Sequence, residues 1–175
     1  MKSLESIYNS ILLENQNPNN IDIGRLRRYI YGTPGKYTIN NDGSIDVDGN
    51  VILVDKKPTK IPFKFRNVSG SFYCSYIKLT FLDGSPINVG DDFYCSNNHL
   101  TSLDGAPNFV GGKFYCYDNP NLSYTELFKI IDNVKGNIYY SSKTIPEDKD
   151  KIRRDRVVKG VLKDDELGNL DVWNP

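Results

Sequence analysis

The sequence predicts an α/β repeat fold: a short solenoid of about five coils, with a parallel sheet on one face and helical caps at both ends. One observation is a motif that occurs three times, at 68–74 (VSGSFYC), 89–95 (VGDDFYC) and 110–116 (VGGKFYC). Another is its period, because each copy begins 21 residues after the previous one. A unit this short cannot bury its own apolar side, so the copies must stack on one another.

The segment before the repeats predicts helices. Leu4, Tyr8, Ile11 and Leu12 recur with the spacing of one face of an amphipathic helix. Glu5 interrupts any continuous apolar core of the kind that a secretory signal requires, so we expect a protein that is not exported. Its three cysteines should then be reduced thiols.

A second helical spacing, at Ile23, Leu26, Tyr29 and Ile30, precedes the first repeat. Beyond the last repeat, the apolar residues around Val157 in a highly charged segment predict a short helix that docks on the last coil. The predicted organisation is 1–43 for the N-terminal helices, linker and cap, 44–141 for the 21-residue-repeat solenoid, and 142–175 for the charged C-terminal cap or tail.

One unit is predicted to contain a strand, a turn and a returning segment. Side chains alternate along a strand, so Phe93 and Cys95 should point inward and Tyr94 outward. Leu100 and Leu103 would belong to the returning segment, which closes over the inward side chains. The sequence therefore predicts an interior of Phe, Cys and Leu.

Two degenerate copies extend the array to five coils. The first is 47–53 (VDGNVIL), and the last is 134–140 (VKGNIYY), which begins 24 residues after its predecessor instead of 21. The three extra residues fall near 124–131 (YTELFKII), which predicts one or two helical turns.

The unit resembles a known repeat. The pattern F-x-C-x-x-N-x-L-x-x-L at 93–103 resembles the leucine-rich repeat, with Asn98 and Asn119 in the asparagine position and Ile77 there in the first clear copy. The Phe-Tyr-Cys and Leu-Asp-Gly-Ala-Pro wording is similar to the aromatic-rich variety found in tailed bacteriophages and some bacteria. The resemblance covers roughly 44–141, and it implies a short solenoid that recognises proteins through its strand face.

The first 14 residues carry a second resemblance. They end in Leu12, Leu13 and Glu14 and resemble the capsid-targeting peptides of T-even-type bacteriophages, which a phage protease cleaves after Leu-x-Glu or Ile-x-Glu. The alternative is a helix that caps the open end of the solenoid, because a terminal repeat exposes an apolar edge. The residues leave both interpretations open.

No group of residues predicts catalysis. Cys74, Cys95 and Cys116 could suggest a metal or redox site, but each occupies a predicted core position, where a free cysteine acts as a small hydrophobe. His99, the only histidine, falls in a variable turn, so we expect it in a surface loop. The sequence therefore predicts a protein that is not an enzyme and holds no cofactor or metal.

The outward side of the predicted sheet carries the candidate site. It is a column of tyrosines with polar neighbours: Tyr73, Tyr94, Tyr115 and Tyr139, with Tyr117, Asp92 and Lys113 beside them. Tyrosine combines a large rigid area with a polar tip, so the solvent-facing column predicts contact with a partner. The alternative is that the rings only stabilise the sheet through cross-strand pairing. Both can hold at once.

Charge and hydropathy narrow the class of partner. The 22 basic and 22 acidic residues give a net charge of zero, which offers no general attraction to nucleic acid. The longest aliphatic run has four residues, at 51–54, far fewer than the roughly 20 that a membrane span needs. These observations favour a protein partner.

Two functional hypotheses follow. The first is a phage accessory protein that acts in the host bacterial cytoplasm, where it binds, and can inhibit, a host protein through the tyrosine column. The alternative is a capsid-interior protein that is packaged through a cleavable N-terminal peptide and delivered with the genome. The sequence fixes neither the partner, a host or phage protein, nor the oligomeric state.

Overall fold

The chain folds as a parallel β-solenoid of about four turns with few helices. The computed structural model describes residues 21–31, 36–53, 60–140 and 157–159. Within these residues, sheet A has the strand order β1 (Ile30–Tyr31), β4 (Asn50–Ile52), β6 (Phe72–Tyr73), β8 (Phe93–Tyr94), β10 (Phe114–Tyr115), β11 (Ile138–Tyr140) and β12 (Val157–Lys159). Sheet B has the order β2 (Tyr37–Ile39), β3 (Ile45–Val47), β5 (Phe65–Val68), β7 (Asn88–Val89) and β9 (Phe109–Val110).

The 21-residue period sets the register of both sheets. Phe72 pairs with Phe93 and Phe93 with Phe114 in sheet A, all in parallel strands. In sheet B, Val68 pairs with Val89, which pairs with the valine one period later. The parallel stacking predicted from the repeat is therefore confirmed, but two sheets are present where one was predicted.

A tight glycine turn connects the two strands within a coil. A Cβ atom at Gly111 would lie 2.0 Å from the carbonyl oxygen of Gly90, and one at Gly90 would lie 2.0 Å from that of Ser69. Only glycine lets neighbouring coils approach this closely at the turn. The close approach keeps both sheets at strand-pairing distance on either side of the corner.

The interior contains the side chains predicted for it. Phe93, Cys95 and Leu100 are 0% exposed, and Leu103 is 2% exposed. The phenylalanine rings form a stack, with centroids 5.6 Å apart between Phe72 and Phe93 and 5.0 Å apart between Phe93 and Phe114. The inward assignment of Phe and Cys is confirmed.

At the corner that follows each of two sheet A strands, the side chain of a buried asparagine forms hydrogen bonds with backbone groups that have no partner in the sheet. The side-chain oxygen of Asn98 accepts from the backbone N–H groups of Ile77 and Leu79, at 3.2 and 3.0 Å. Its side-chain nitrogen donates to the carbonyl oxygens of Cys74 and Cys95, at 2.8 and 3.0 Å. Asn119 repeats the arrangement one coil later, with the backbone groups of Leu100, Cys95, Cys116 and Tyr117. These amides join consecutive coils where sheet pairing stops.

The N-terminal end is less helical than predicted. Helix α1 has four residues (Ile23–Leu26), and Asp22 caps it by accepting from the Arg25 N–H at 2.8 Å. Ile30, predicted as helical, instead begins β1, which pairs antiparallel with β4. β2 and β3 lie between β1 and β4 in the chain, and the Ile52 N–H donates to the Tyr29 carbonyl beside this pair at 2.7 Å. The predicted helix at 1–14 lies outside the described residues.

The C-terminal end also departs from the prediction. A 3₁₀ helix (Tyr124–Lys129) occupies the position of the predicted helical turns and confirms them. The helix predicted around Val157 is wrong, because this segment forms β12, parallel to β11. β-Branched valines favour extended backbone, and the edge of β11 offers unpaired groups.

The solenoid has about four turns and not five, because the last copy joins only one sheet fully. Its tyrosine-bearing strand, β11, pairs with β10, but in sheet B the copy contributes a single bridge from Val134 to Val110. The longer spacing and the 3₁₀ helix before it accompany this loss of pairing.

Candidate binding face on sheet A

Four tyrosine rings form an unbroken stack on the outer side of sheet A. Ring centroids are 4.4 Å apart between Tyr73 and Tyr94, 4.5 Å between Tyr94 and Tyr115, and 4.6 Å between Tyr115 and Tyr139. The angles between consecutive ring planes are 9°, 4° and 9°. This spacing follows from parallel strands that lie about 4.8 Å apart and pair tyrosine with tyrosine, including β10 and β11, whose tyrosines are 24 residues apart.

The four rings of the stack differ in exposure. Tyr73, Tyr94 and Tyr139 are partly exposed, but Tyr115 is only 7% exposed. Tyr94 also has a ring on each face, so stacking alone does not account for the burial of Tyr115. Tyr117 is 5% exposed, so the prediction that it faces solvent is wrong. The face therefore presents ring edges and hydroxyl groups to a partner, and not ring planes.

A ladder of polar side chains runs beside the tyrosines. Each member accepts from the backbone N–H of the next: Asn50 from Ser71 at 2.8 Å, Ser71 from Asp92 at 3.2 Å, and Asp92 from Lys113 at 2.6 Å. Since each bond joins adjacent coils, these residues hold the spacing of the face as well as its polarity.

Asp92 and Lys113 also interact with the tyrosine side chains. The Tyr94 hydroxyl donates to the Asp92 carboxylate at 3.0 Å, and the Lys113 ammonium lies 5.7 Å from the centre of the Tyr139 ring. Burial, followed by the adjacent Asp92 charge, raises the pKa of Tyr94, and burial raises that of Tyr115. The Tyr94 and Tyr115 phenols are therefore neutral at physiological pH, and Tyr94 uses its proton as the donor to Asp92.

Tyr76 borders this face, and the sequence reasoning did not single it out. Its backbone has a φ of 62°, at the corner where later coils have Asn97 and Asp118 with φ values of 55° and 53°. Asparagine and aspartate tolerate the left-handed region, whereas tyrosine rarely adopts it. Tyr76 is also 68% exposed. The signal in the sequence was an aromatic residue at a turn position otherwise held by Asn and Asp.

The remaining candidate residues have structural positions. Cys74, Cys95 and Cys116 are 0% exposed, and burial raises the pKa of each thiol. Their predicted role in the core is confirmed. His99 is exposed in a loop, as predicted. Among the described residues, no group of three or more His, Cys, Asp or Glu side chains is arranged to hold a metal ion. Leu12, Leu13 and Glu14 lie outside the described residues.

The outer side of sheet B carries an open groove of about 870 Å³. Along its floor, Asn88 donates to Asn67 at 2.7 Å, and Asn67 donates to Asp46 at 2.8 Å. Phe109 follows in the same column and is 39% exposed. The amides and the carboxylate bond to one another, so this face differs from the tyrosine face in having no continuous aromatic surface.

The fold and the face together define a parallel β-solenoid with an aromatic stack on each side of one sheet. None of the described helices is long and apolar enough to cross a lipid bilayer. No protein-family model, curated protein or solved structure matches this chain.

Proposed function

We propose that this chain is a non-enzymatic binding module that recognises a protein through the outer side of sheet A. The observation that supports the proposal is the tyrosine stack, with Asp92 and Lys113 beside it. Rings held by strand pairing lose little conformational entropy on binding, and their hydroxyl edges supply polar contacts in fixed positions.

The biological setting of the proposal comes from the sequence resemblance. We propose an aromatic-rich, leucine-rich-repeat-like phage protein that acts in the host bacterial cytoplasm by binding, and inhibiting, a host protein. The second candidate is a capsid-interior protein, favoured by Leu12, Leu13 and Glu14. Mass spectrometry of purified virions separates the two, because only the second predicts a peptide that begins at Asn15.

The binding face is tested by substituting its exposed rings. The variant Tyr73→Ser/Tyr94→Ser/Tyr139→Ser leaves the buried Tyr115 in place, and Asn67→Ser/Asn88→Ser on sheet B is the matched control. In affinity purification from infected cells, we expect the tyrosine variant to lose the partner that the wild type and the control retain. Circular dichroism establishes that both variants are folded. Retention of the partner by a folded tyrosine variant would refute this use of the face.

A further inference from the structure

We infer that the partner of the sheet A face is a second copy of this chain, in a weak two-fold dimer. The inference rests on the proposed function, because it gives that protein-binding face a particular occupant. Two observations support it: the repeat distance of the face, and the placement of its two charges.

The repeat distance restricts what can match the face along its whole length. Tyrosine centroids recur every 4.4 to 4.6 Å, the spacing of adjacent strands. Side chains on one face of an extended peptide recur at about 6.8 Å, so they coincide with the rings only at every third ring. A second stack of paired strands has the matching repeat, and this chain carries one.

The charges fix the orientation of the second copy. Asp92 and Lys113 occupy the same column on neighbouring strands, with Ser71 before them and Asn137 after them. Consider a two-fold axis that runs parallel to the strands, between β8 and β10. It places Asp92 of each copy opposite Lys113 of the other, so one pair of residues provides two complementary contacts.

The same axis uses most of the sheet. In the strand order of sheet A it lies between the fourth and fifth of seven described strands, so β8 faces β10, β6 faces β11 and β4 faces β12. Tyr94 then opposes Tyr115 of the second copy, and Tyr73 opposes Tyr139. The coils of the two copies run in opposite directions, and their strands run in the same direction, as in aligned sheet packing.

The area of the face sets the expected strength of the dimer. Six strand spacings of about 4.8 Å and two side-chain spacings of about 6.8 Å give a contact of roughly 400 Å² per copy. A standard interface buries roughly 800 Å² per partner, so we expect a reversible dimer that forms at high micromolar concentration. The net charge of zero adds no long-range repulsion between copies.

The test is sedimentation equilibrium of the full chain and of charge variants over a wide concentration range. Lys113 is exposed, so Lys113→Glu leaves the fold intact while it places two like-charge pairs across the axis. We expect it to raise the dimer dissociation constant about tenfold or more, and Lys113→Gln to raise it less. Adding Asp92→Asn to Lys113→Glu removes the repulsion and keeps a side-chain oxygen that accepts from the backbone N–H of residue 113. Dimerisation should then return to the level of Lys113→Gln.

Spin labels test the orientation. In this dimer, the two labels on Lys113→Cys, one on each copy, lie one strand spacing apart along the stack. The two labels on Asn137→Cys lie three spacings apart, about 14 Å. The native cysteines are fully buried and do not compete for the label. We expect a shorter dipolar distance at 113 than at 137. Equal distances would refute the axis.

The outcomes separate this inference from the proposed function. A chain that stays monomeric at high concentration, yet loses another partner when its tyrosines are substituted, refutes the dimer and supports the binding face. A dimer that is unaffected by Lys113→Glu also refutes the inference. If the tyrosine variant changes neither self-association nor any other binding, the proposed function fails as well.

Discussion

The two aromatic stacks of sheet A belong to the same strands but differ in geometry. On the inner side, Phe72, Phe93 and Phe114 have centroid distances of 5.0 to 5.6 Å, and the Phe93 and Phe114 planes differ by 23°. On the outer side, the tyrosine rings lie 4.4 to 4.6 Å apart, and their planes differ by at most 9°. The inner rings share their space with Cys and Leu side chains, whereas the outer rings have polar neighbours such as Asp92 and Lys113.

The difference separates stability from recognition. The inner stack is completely buried and contributes through the hydrophobic effect. The outer stack covers its own ring faces and leaves edges and hydroxyl groups accessible. A single repeat thus supplies a core and a regular outer surface from adjacent residues of one strand.

The largest expected effect comes from removing equivalent rings on the two sides. We predict that Phe93→Ala lowers the free energy of unfolding by about 3 to 5 kcal/mol, because it leaves a cavity in a closed interior. Tyr94→Ala, one residue later, should cost about 1 to 2 kcal/mol, since water can occupy the vacated space. Urea denaturation measures both. Equal losses would show that the two stacks are not different in kind.

The buried amide at the coil corner gives the next effect. Asn98→Ala removes five bonds to backbone groups, those of Ile77, Leu79, Cys74, Cys95 and Ser96. Because these groups are left buried and unpaired, we predict a loss of about 2 to 4 kcal/mol. Ser71→Ala on the outer polar ladder serves as the control and should cost less than half as much. A similar cost for both would mean that the inner bonds have no special weight.

The next effect is smaller, concerns the outer side of sheet B, and depends on pH. The hydrogen bond from Arg66, followed by those from Asn40 and Asn67, lowers the pKa of Asp46 below its model-peptide value of 3.8. A lowered pKa in the folded state stabilises the protein above the unfolded-state pKa, and this contribution disappears as the pH falls through the folded-state value. The pair is partly exposed, so we expect about 1 kcal/mol or less.

Asp46→Asn is the variant that isolates this contribution. It should be less stable than the wild type at pH 7, and the difference between the two should shrink as the pH falls from 4 toward 2. Thermal unfolding at a series of pH values measures the difference. A difference that does not change with pH would contradict the assignment to Asp46.

The smallest effect is a gain in stability. Tyr76→Asn restores a residue that tolerates the left-handed backbone, so we predict an increase of up to about 1 kcal/mol. The reverse change, Asp118→Tyr, should reduce stability at the equivalent corner. Chemical denaturation of the two variants checks both signs. A loss at Tyr76→Asn would show that the tyrosine is retained for its contacts within the fold.

Much of the fold could be predicted because the repeat is long enough to define a register. The 21-residue period placed Phe93 and Cys95 inside and Tyr94 outside, and the asparagine positions identified Asn98 and Asn119. Sheet B was missed although its strands are no shorter than those of sheet A, because the conspicuous Phe-Tyr-Cys motif marks sheet A alone. Its signal was the valine that recurs at 47, 68, 89 and 110.

The position of the tyrosine column was predicted correctly, but the solvent exposure of its side chains was not. Side-chain alternation gives the direction of Tyr115, but it does not give how much of the side chain the surrounding residues cover. The strand at Val157 was missed for a related reason. A charged segment favours a solvated helix by composition, whereas the free edge of β11 provides partners that are visible only in three dimensions.

Hydroxyl-radical footprinting of the native protein tests most directly whether the tyrosines face outward and the cysteines inward. Cysteine is intrinsically more reactive than tyrosine, so adjacent residues in one peptide report their relative accessibility. We predict that Tyr73 and Tyr94 are oxidised faster than Cys74 and Cys95, which are 0% exposed, and that unfolding reverses the order. Oxidation of the cysteines ahead of the tyrosines in the native state would contradict the proposed binding face.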